Sequence, residues 1–436
     1  MVVLLGVVFA GTASAVRPGS PGASGRASLS QLPTGLASAV RSAVVTSPQQ
    51  KLRVPNTALF GFSVSLSSDG GVALIGAPNT DPPNGAAYVF ARIGGIWILQ
   101  QKLQVIHPIP FSARFGSSVS LSSDGRTALI GAQGTNPASG GQDTAYVFAR
   151  NFAGLFMLQQ ELPNPAGASS GNAFGFSASL GSDGRTAVIG APNTGGGNSP
   201  TGAAYVFARG LFGGWTLQQT LRPSDNAFDA FGSSVSLSSD SRSALIGAPS
   251  RDGGAAYVFA RGLAGGFSQQ QKLQASDRAS VDAFGGSVSL SGDGRTALIG
   301  ASQKAIGPND FQGAAYVFTR GVAGGFTQLQ RLQAADGAAF DAFGTSVSLD
   351  SSGTRALIGA PGVDGETGAA YLFARGTVGG FTQRQELQAA DRATRDFFGW
   401  SVTLSSDHRV ALIGAIQIPD TPAPRTGAAY VFPGLT

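Results

Sequence analysis

Short apolar runs broken by Gly, Ser and Asp recur from residue 60 to residue 432, and they follow a two-residue period, not a helical one. Around Phe284 the segment Phe-Gly-Gly-Ser-Val-Ser-Leu alternates Val288 and Leu290 against Ser, which predicts a half-buried strand A. Asp293-Gly294 then supplies a residue pair suited to a tight hairpin. Thr296 to Ala301 is apolar on both faces and predicts a fully covered strand B. A loop of variable length leads to strand C, Ala314 to Arg320. A Gly-rich turn leads on to strand D, which starts at Phe326. In strand D, Gln alternates with apolar residues, so the Gln side chains are expected to face water.

This four-strand unit repeats. Phe-Gly opens it at Phe60, Phe115, Phe174, Phe231, Phe284, Phe343 and Phe398, at spacings of 53 to 59 residues. Ile-Gly-Ala follows each, and Tyr-Val-Phe or Tyr-Leu-Phe follows that, beginning at Tyr88, Tyr146, Tyr205, Tyr257, Tyr316, Tyr371 and Tyr430. The pattern predicts an all-β chain, a seven-bladed β-propeller of four-stranded antiparallel blades over residues 49–436. The last repeat ends after Tyr430-Val431-Phe432 without a strand D. A spare copy, Gln49-Gln50-Lys51-Leu52-Arg53, stands before the first Phe-Gly. That N-terminal strand is expected to complete the last blade and close the ring, which removes open sheet edges.

Composition narrows the chemistry. The chain has 436 residues with 64 Gly, 23 Pro and no Cys, which excludes disulfides, thiolate metal sites and cysteine nucleophiles. His107 and His408 alone are too few for a histidine metal centre. Residues 1–15, an apolar run ending in Ala13-Ser14-Ala15, read as a secretory signal peptide cleaved after Ala15. The run is too short to span a bilayer as a helix. Residues 16–48, rich in Ser, Ala, Gly, Pro and Arg, read as a flexible linker.

Antiparallel strands place the A–B and C–D turns at one end of the ring and the B–C and D–A loops at the other. The first set is nearly constant, while the second varies in length and content, and variable loops on a rigid scaffold are where function concentrates. The net charge of +5 divides along the same axis: twelve Arg against seven turn Asp at the constant end, fifteen acids against seven bases at the variable end. Four D–A loops carry Asp pairs, Asp225/Asp229, Asp277/Asp282, Asp336/Asp341 and Asp391/Asp396, and these are the candidate ligand contacts. The second Asp of each pair also suits capping of loop N–H groups. Phe228, Phe311 and Phe340 are the candidate sugar platforms. The Arg residues recur singly, so they are expected to be solvated turn residues and not a nucleic-acid groove.

Phe-Gly-x-Ser-Val, Ile-Gly-Ala-Pro (75–78, 189–192, 246–249 and 358–361) and Gly-Ala-Ala-Tyr-Val-Phe together resemble the FG-GAP repeats of integrin α-subunit propellers, in their bacterial variant. The resemblance implies a propeller serving adhesion and ligand binding through its loops, with calcium in several A–B turns. Here that turn, typified by residues 122–128, offers one Asp where calcium takes about six to eight oxygens. No metal or other cofactor is therefore expected. The chain reads as a secreted or cell-surface binding and adhesion module, recognising a protein through the B–C/D–A face. The alternative is a carbohydrate-binding propeller. The expected partner is an extracellular protein or glycan, with no nucleic acid, no membrane span and a monomeric chain. No residue stands out as catalytic, and the protein is expected not to be an enzyme.

Overall fold

The computed structural model describes residues 49–435 apart from 81–83, 106–113, 135–142, 168–170, 195–200, 226–228 and 418–425. The expected leader (1–15) and linker (16–48) lie outside the described residues, as do Asp81, His107, Phe228, Asp420 and Arg425. Seven four-stranded antiparallel sheets form the seven blades of a propeller. Blade 5 is representative: strand A is Ser287–Leu290, B is Thr296–Ala301, C is Ala314–Arg320 and D is Phe326–Leu332. The ring closes as the spare strand requires. Gln50–Leu52 pairs antiparallel with Ala428–Pro433, setting Gln50 opposite Val431, Lys51 opposite Tyr430 and Leu52 opposite Ala429.

The core lies between blades. Leu298, Val317 and Leu332 of blade 5 pack with Phe343, Ile358, Tyr371 and Phe373 of blade 6. Across the closure, Leu52, Leu412 and Val431 pack with Phe60, Ile75, Tyr88 and Trp97. Each Phe of Phe-Gly is buried against the two aromatics of its own strand C; Phe284 stands 5.5 Å from Tyr316 and 6.0 Å from Phe318, centroid to centroid. Tilted and edge-on pairs of this kind add to the area they bury.

Strand A is shorter than expected in five blades, beginning at the Ser after Phe-Gly-x. Ala283 (φ 56°) and Gly285 (φ 92°) flank Phe284 in left-handed conformations, a kink that blades 2 and 7 share although their strands A extend across it from Phe115 and Phe398. The residue before all seven Phe-Gly pairs is left-handed, although Leu59, Arg114 and Phe397 among them do not favour it. The glycines allow the blades to touch. A Cβ on Gly247, the Gly of Ile-Gly-Ala, would stand 1.9 Å from the Gly285 carbonyl oxygen of the next blade. Gly247→Ala must push two backbones apart, and we expect a loss of about 3 kcal/mol in denaturant unfolding. A midpoint equal to the parent's would refute the packing argument.

Ser hydroxyls stitch the blades together. Ser234 Oγ donates to Gly285 O (2.8 Å), and the same bond runs from Ser401 to Gly61 (2.8 Å), where blade 7 meets blade 1. Strand D bears out the expectation that its Gln side chains face water at Gln100, Gln218 and Gln270, but corrects it for the Gln directly after each. Gln271 donates to the Phe326 carbonyl (2.8 Å) and accepts from the Phe326 N–H (2.7 Å), clamping the next blade. Gln50, Gln101, Gln160, Gln219 and Gln330 do the same to Trp97, Phe156, Trp215, Phe267 and Phe381. A β-bulge in every complete D strand breaks the two-residue alternation, as at Val317/Phe318, where Leu329 becomes the extra residue. The side chain after the bulge then points along the ring instead of outward.

Candidate functional site

At the constant end the carboxylates are consumed by their own hairpins. Asp69 accepts from Ser67 Oγ (2.6 Å) and from the Gly71 N–H (2.9 Å), and Asp124, Asp240, Asp293 and Asp407 repeat the arrangement. Blade 6 exchanges the two residue types. Asp350 takes the buried Ser position and accepts from the Thr354 and Arg355 N–H groups, while Ser352 takes the Asp position. These turns do not fit the calcium cage that the family resemblance implies. Each supplies a single carboxylate, one oxygen of which already accepts from its own hairpin. Among the described residues no group of three or more His, Cys, Asp or Glu is arranged to hold a metal. The strand-C Arg residues are held as well. Arg150 and Arg261 lie 4.8 Å from the Phe156 and Phe267 rings, and Arg375 Nε donates to Gly379 O (3.0 Å).

The variable end separates the paired Asp residues into two kinds. The inner members, Asp229, Asp282, Asp341 and Asp396, are buried. Asp282, Asp341 and Asp396 each accept from a loop N–H three residues back, at Ala279 (2.6 Å), Ala338 (2.6 Å) and Ala393 (2.7 Å). Burial raises Asp229, Asp341 and Asp396 above the usual carboxylate range. Lys304, itself buried, pairs with Asp282 at 2.9 Å. In blade 2, Asp143 works from a B–C loop in the same manner, accepting from the Gly134 (2.9 Å) and Ala173 (3.0 Å) N–H groups.

The outer members meet the strand-C Tyr. The Tyr257 hydroxyl donates to Asp225 (3.1 Å), Tyr316 to Asp277 (2.8 Å) and Tyr430 to Asp391 (2.8 Å). Directly across the ladder from each Tyr, strand D supplies a cation: Lys272 to Asp225 (2.7 Å), Arg331 to Asp277 (2.6 Å) and Lys51 to Asp391 (2.7 Å). Burial works to raise Asp277 and Asp391, but the Tyr hydroxyl and the cation outweigh it and hold both below the usual range. These cations were not recognised in the sequence. Their signal is there, since each directly precedes the last Leu of strand D.

Blade 6 breaks the pattern. Asp336 bonds to the Tyr371 hydroxyl, but the residue across from Tyr371 is Glu386. One buried oxygen of Asp336 accepts no hydrogen bond. Burial, and then the charge of Asp336, push the Glu386 carboxyl up to about 7. Its folded value exceeds the ordinary 4.5, so the folded chain keeps a proton that the unfolded chain has released. The resulting stability is complete below about pH 4.5 and is lost as pH rises through about 7. Glu386→Gln should therefore leave stability nearly unchanged near pH 4.5 and raise it by about 1–2 kcal/mol near pH 8, read by urea unfolding at both values. A pH-independent difference counts against this assignment.

Two aromatics stand beside this blade. Phe311, in the B–C loop of blade 5, and Phe340, in the D–A loop after it, stack with centroids 5.7 Å apart and planes 11° apart. They are 41% and 66% exposed, and both adopt left-handed backbones (φ 53° and 69°). The Phe340 N–H donates to the Asp310 carbonyl (2.9 Å), locking the two loops together. In the B–C loop of blade 6, Asp364 and Glu366 are also left-handed (φ 51° and 69°), and they face Arg392 at 3.7 Å and Arg395 at 3.5 Å. Strained non-glycine positions persist where the surroundings over-determine them, and they gather at functional sites.

A family model described as FG-GAP repeat matches residues 56–90, 161–207, 215–259, 267–318, 326–373 and 381–432. No curated protein sequence matches the chain. Similar solved structures include the periplasmic gluconolactonase of Pseudomonas aeruginosa, with a TM-score of 0.51 at 16% identity, covering 78% of this chain and 87% of that one. Hydrazine synthase of Kuenenia stuttgartiensis is similar with a TM-score of 0.51 at 12% identity, covering 84% of this chain and 94% of the other. At these identities the likeness extends to the fold alone. It nevertheless corrects the expectation that the protein is not an enzyme, because proteins named for catalysis carry this fold and the fold gives no ground for that exclusion.

Proposed function

This chain belongs to the FG-GAP repeat family, and from that premise we propose that it is a binding module that engages a protein partner through the B–C/D–A face of blades 5 and 6. The observation that carries the reading is the carboxylate pair of blade 6, Asp336 with Glu386, which lacks the strand-D cation of blades 4, 5 and 7. A Lys or Arg side chain from a partner would supply that charge, with the exposed ring of Phe340, in the same D–A loop as Asp336, available for its stem or guanidinium. The apolar run at residues 1–15 is consistent with an extracellular setting.

A second reading rests on the Phe311–Phe340 stack, since exposed rings beside carboxylates also suit a sugar ring. The full chain applied to arrays of immobilised peptides and of glycans, with and without calcium, separates the two. Capture by Lys- or Arg-containing peptides that is lost in Asp336→Asn/Glu386→Gln supports the protein reading. A glycan signal lost in Phe340→Ala, with blank peptides, replaces it.

A further inference from the structure

We infer that the opposite end of the ring, carrying the A–B and C–D turns, docks on the surface of an anionic lipid bilayer. The contacts are the tips of the C–D turns. Phe152, Leu211, Phe212, Leu263, Val322 and Val378 sit there, each at 95% or more of full exposure. These side chains do nothing for the turn. The five-residue loops close without these tip side chains, through backbone bonds from Gly210 N–H to Gly214 O (2.7 Å), Gly262 to Gly266 (2.8 Å), Gly321 to Gly325 (2.8 Å) and Gly376 to Gly380 (2.7 Å). A polar residue would close the same turn and be better hydrated, yet blades 2 to 6 all place an apolar residue at the tip.

The geometry indicates what covers them. The tips occupy the same turn, at the same end, of five successive blades of one ring. A flat surface meets them together, whereas a groove-shaped partner meets one or two. Guanidinium groups stand at their bases. Arg209, Arg320 and Arg375 donate to Gly213 (3.3 Å), Gly324 (2.8 Å) and Gly379 (3.0 Å) of their own turns. Single apolar side chains beside fixed cations suit the headgroup boundary of an anionic leaflet, where insertion and charge act together. Docked this way, the ring turns its B–C/D–A face away from the bilayer. The inference stands independently of any partner bound at that face.

The absence of Cys permits a site-specific test in the full chain. Leu263→Cys and Val322→Cys, each labelled with an environment-sensitive dye, report on the tips, and Ala339→Cys reports on the far face. With vesicles of phosphatidylcholine containing phosphatidylglycerol, the tip labels should shift to the blue and the Ala339→Cys label should not. Salt should weaken the effect. Combining Phe152→Ser, Phe212→Ser, Leu263→Ser and Val322→Ser should weaken vesicle partitioning about tenfold or more. Unshifted tip labels overturn the inference, as does a shift that is equal on pure phosphatidylcholine. A shift without vesicles that grows with protein concentration also overturns it, in favour of a second copy of the chain.

Discussion

A chain shortened to begin at residue 54 should lose about 5 kcal/mol of stability and tend to associate, although only three residues of strand are removed. Leu52 is 2% exposed and belongs to the cluster joining blades 7 and 1, so its loss costs about 2–5 kcal/mol. Gln50 makes two bonds to Trp97, at 2.9 Å each, together worth about 2 kcal/mol. The ion pair of Lys51 with Asp391 is partly exposed and adds little. Removal also bares the edge of Ala428–Pro433, a ready template for another chain. Leu52→Asp tests the same point without truncation, with an expected cost of about 4 kcal/mol from a carboxylate placed in an apolar cluster. The checks are the denaturant midpoint and the elution volume. A shortened chain as stable and as monodisperse as the parent would show that the ring is held shut without strand D of blade 7.

Asp336→Lys/Glu386→Lys should reduce capture of a basic peptide about 100-fold, and Glu386→Lys alone should also lower capture while making the fold no less stable. The two readouts move in opposite directions for one reason. Blades 4, 5 and 7 show that a cation across from the strand-C Tyr is the stable arrangement, so Glu386 sits in blade 6 at a cost to the fold. Glu386→Lys alone should pair with Asp336, raising the unfolding midpoint while lowering peptide capture. Surface plasmon resonance against a Lys- or Arg-containing peptide taken from the array, paired with urea unfolding, reads both quantities. Capture unchanged by the double reversal would remove blade 6 as the contact. A fall in both stability and capture would mean that Glu386 is a structural residue.

Within the candidate site, the sequence marked the loops, the Asp pairs and the capping role of the second Asp of each pair, but not what the first Asp meets. Asp229, Asp282, Asp341 and Asp396 are buried, while Asp225, Asp277 and Asp391 are matched by Tyr and by Lys or Arg. The second Asp of each pair is marked by its place two residues before Phe-Gly, but the partner of the first is not legible, because it depends on the strand lying across the ladder. Phe311 and Phe340 lie 29 positions apart, and only the docking of two loops stacks them. The outward face assigned to the strand-D Gln residues failed at the clamping positions for a local reason, since no residue type announces the bulge that turns Gln271 and Gln330 toward the next blade.

By itself the sequence determined the blade number, the order of strands within a blade and the closure by Gln50–Leu52. Those features follow from hydrophobic periodicity, turn residues and repetition, which are properties of neighbouring positions. Only the tertiary structure decided which charges remain unmatched, where the Gln clamps reach and why both glycines of each repeat are required. Those outcomes depend on contacts between blades, where residues more than fifty positions apart meet at hydrogen-bonding distance, as Ser234 meets Gly285.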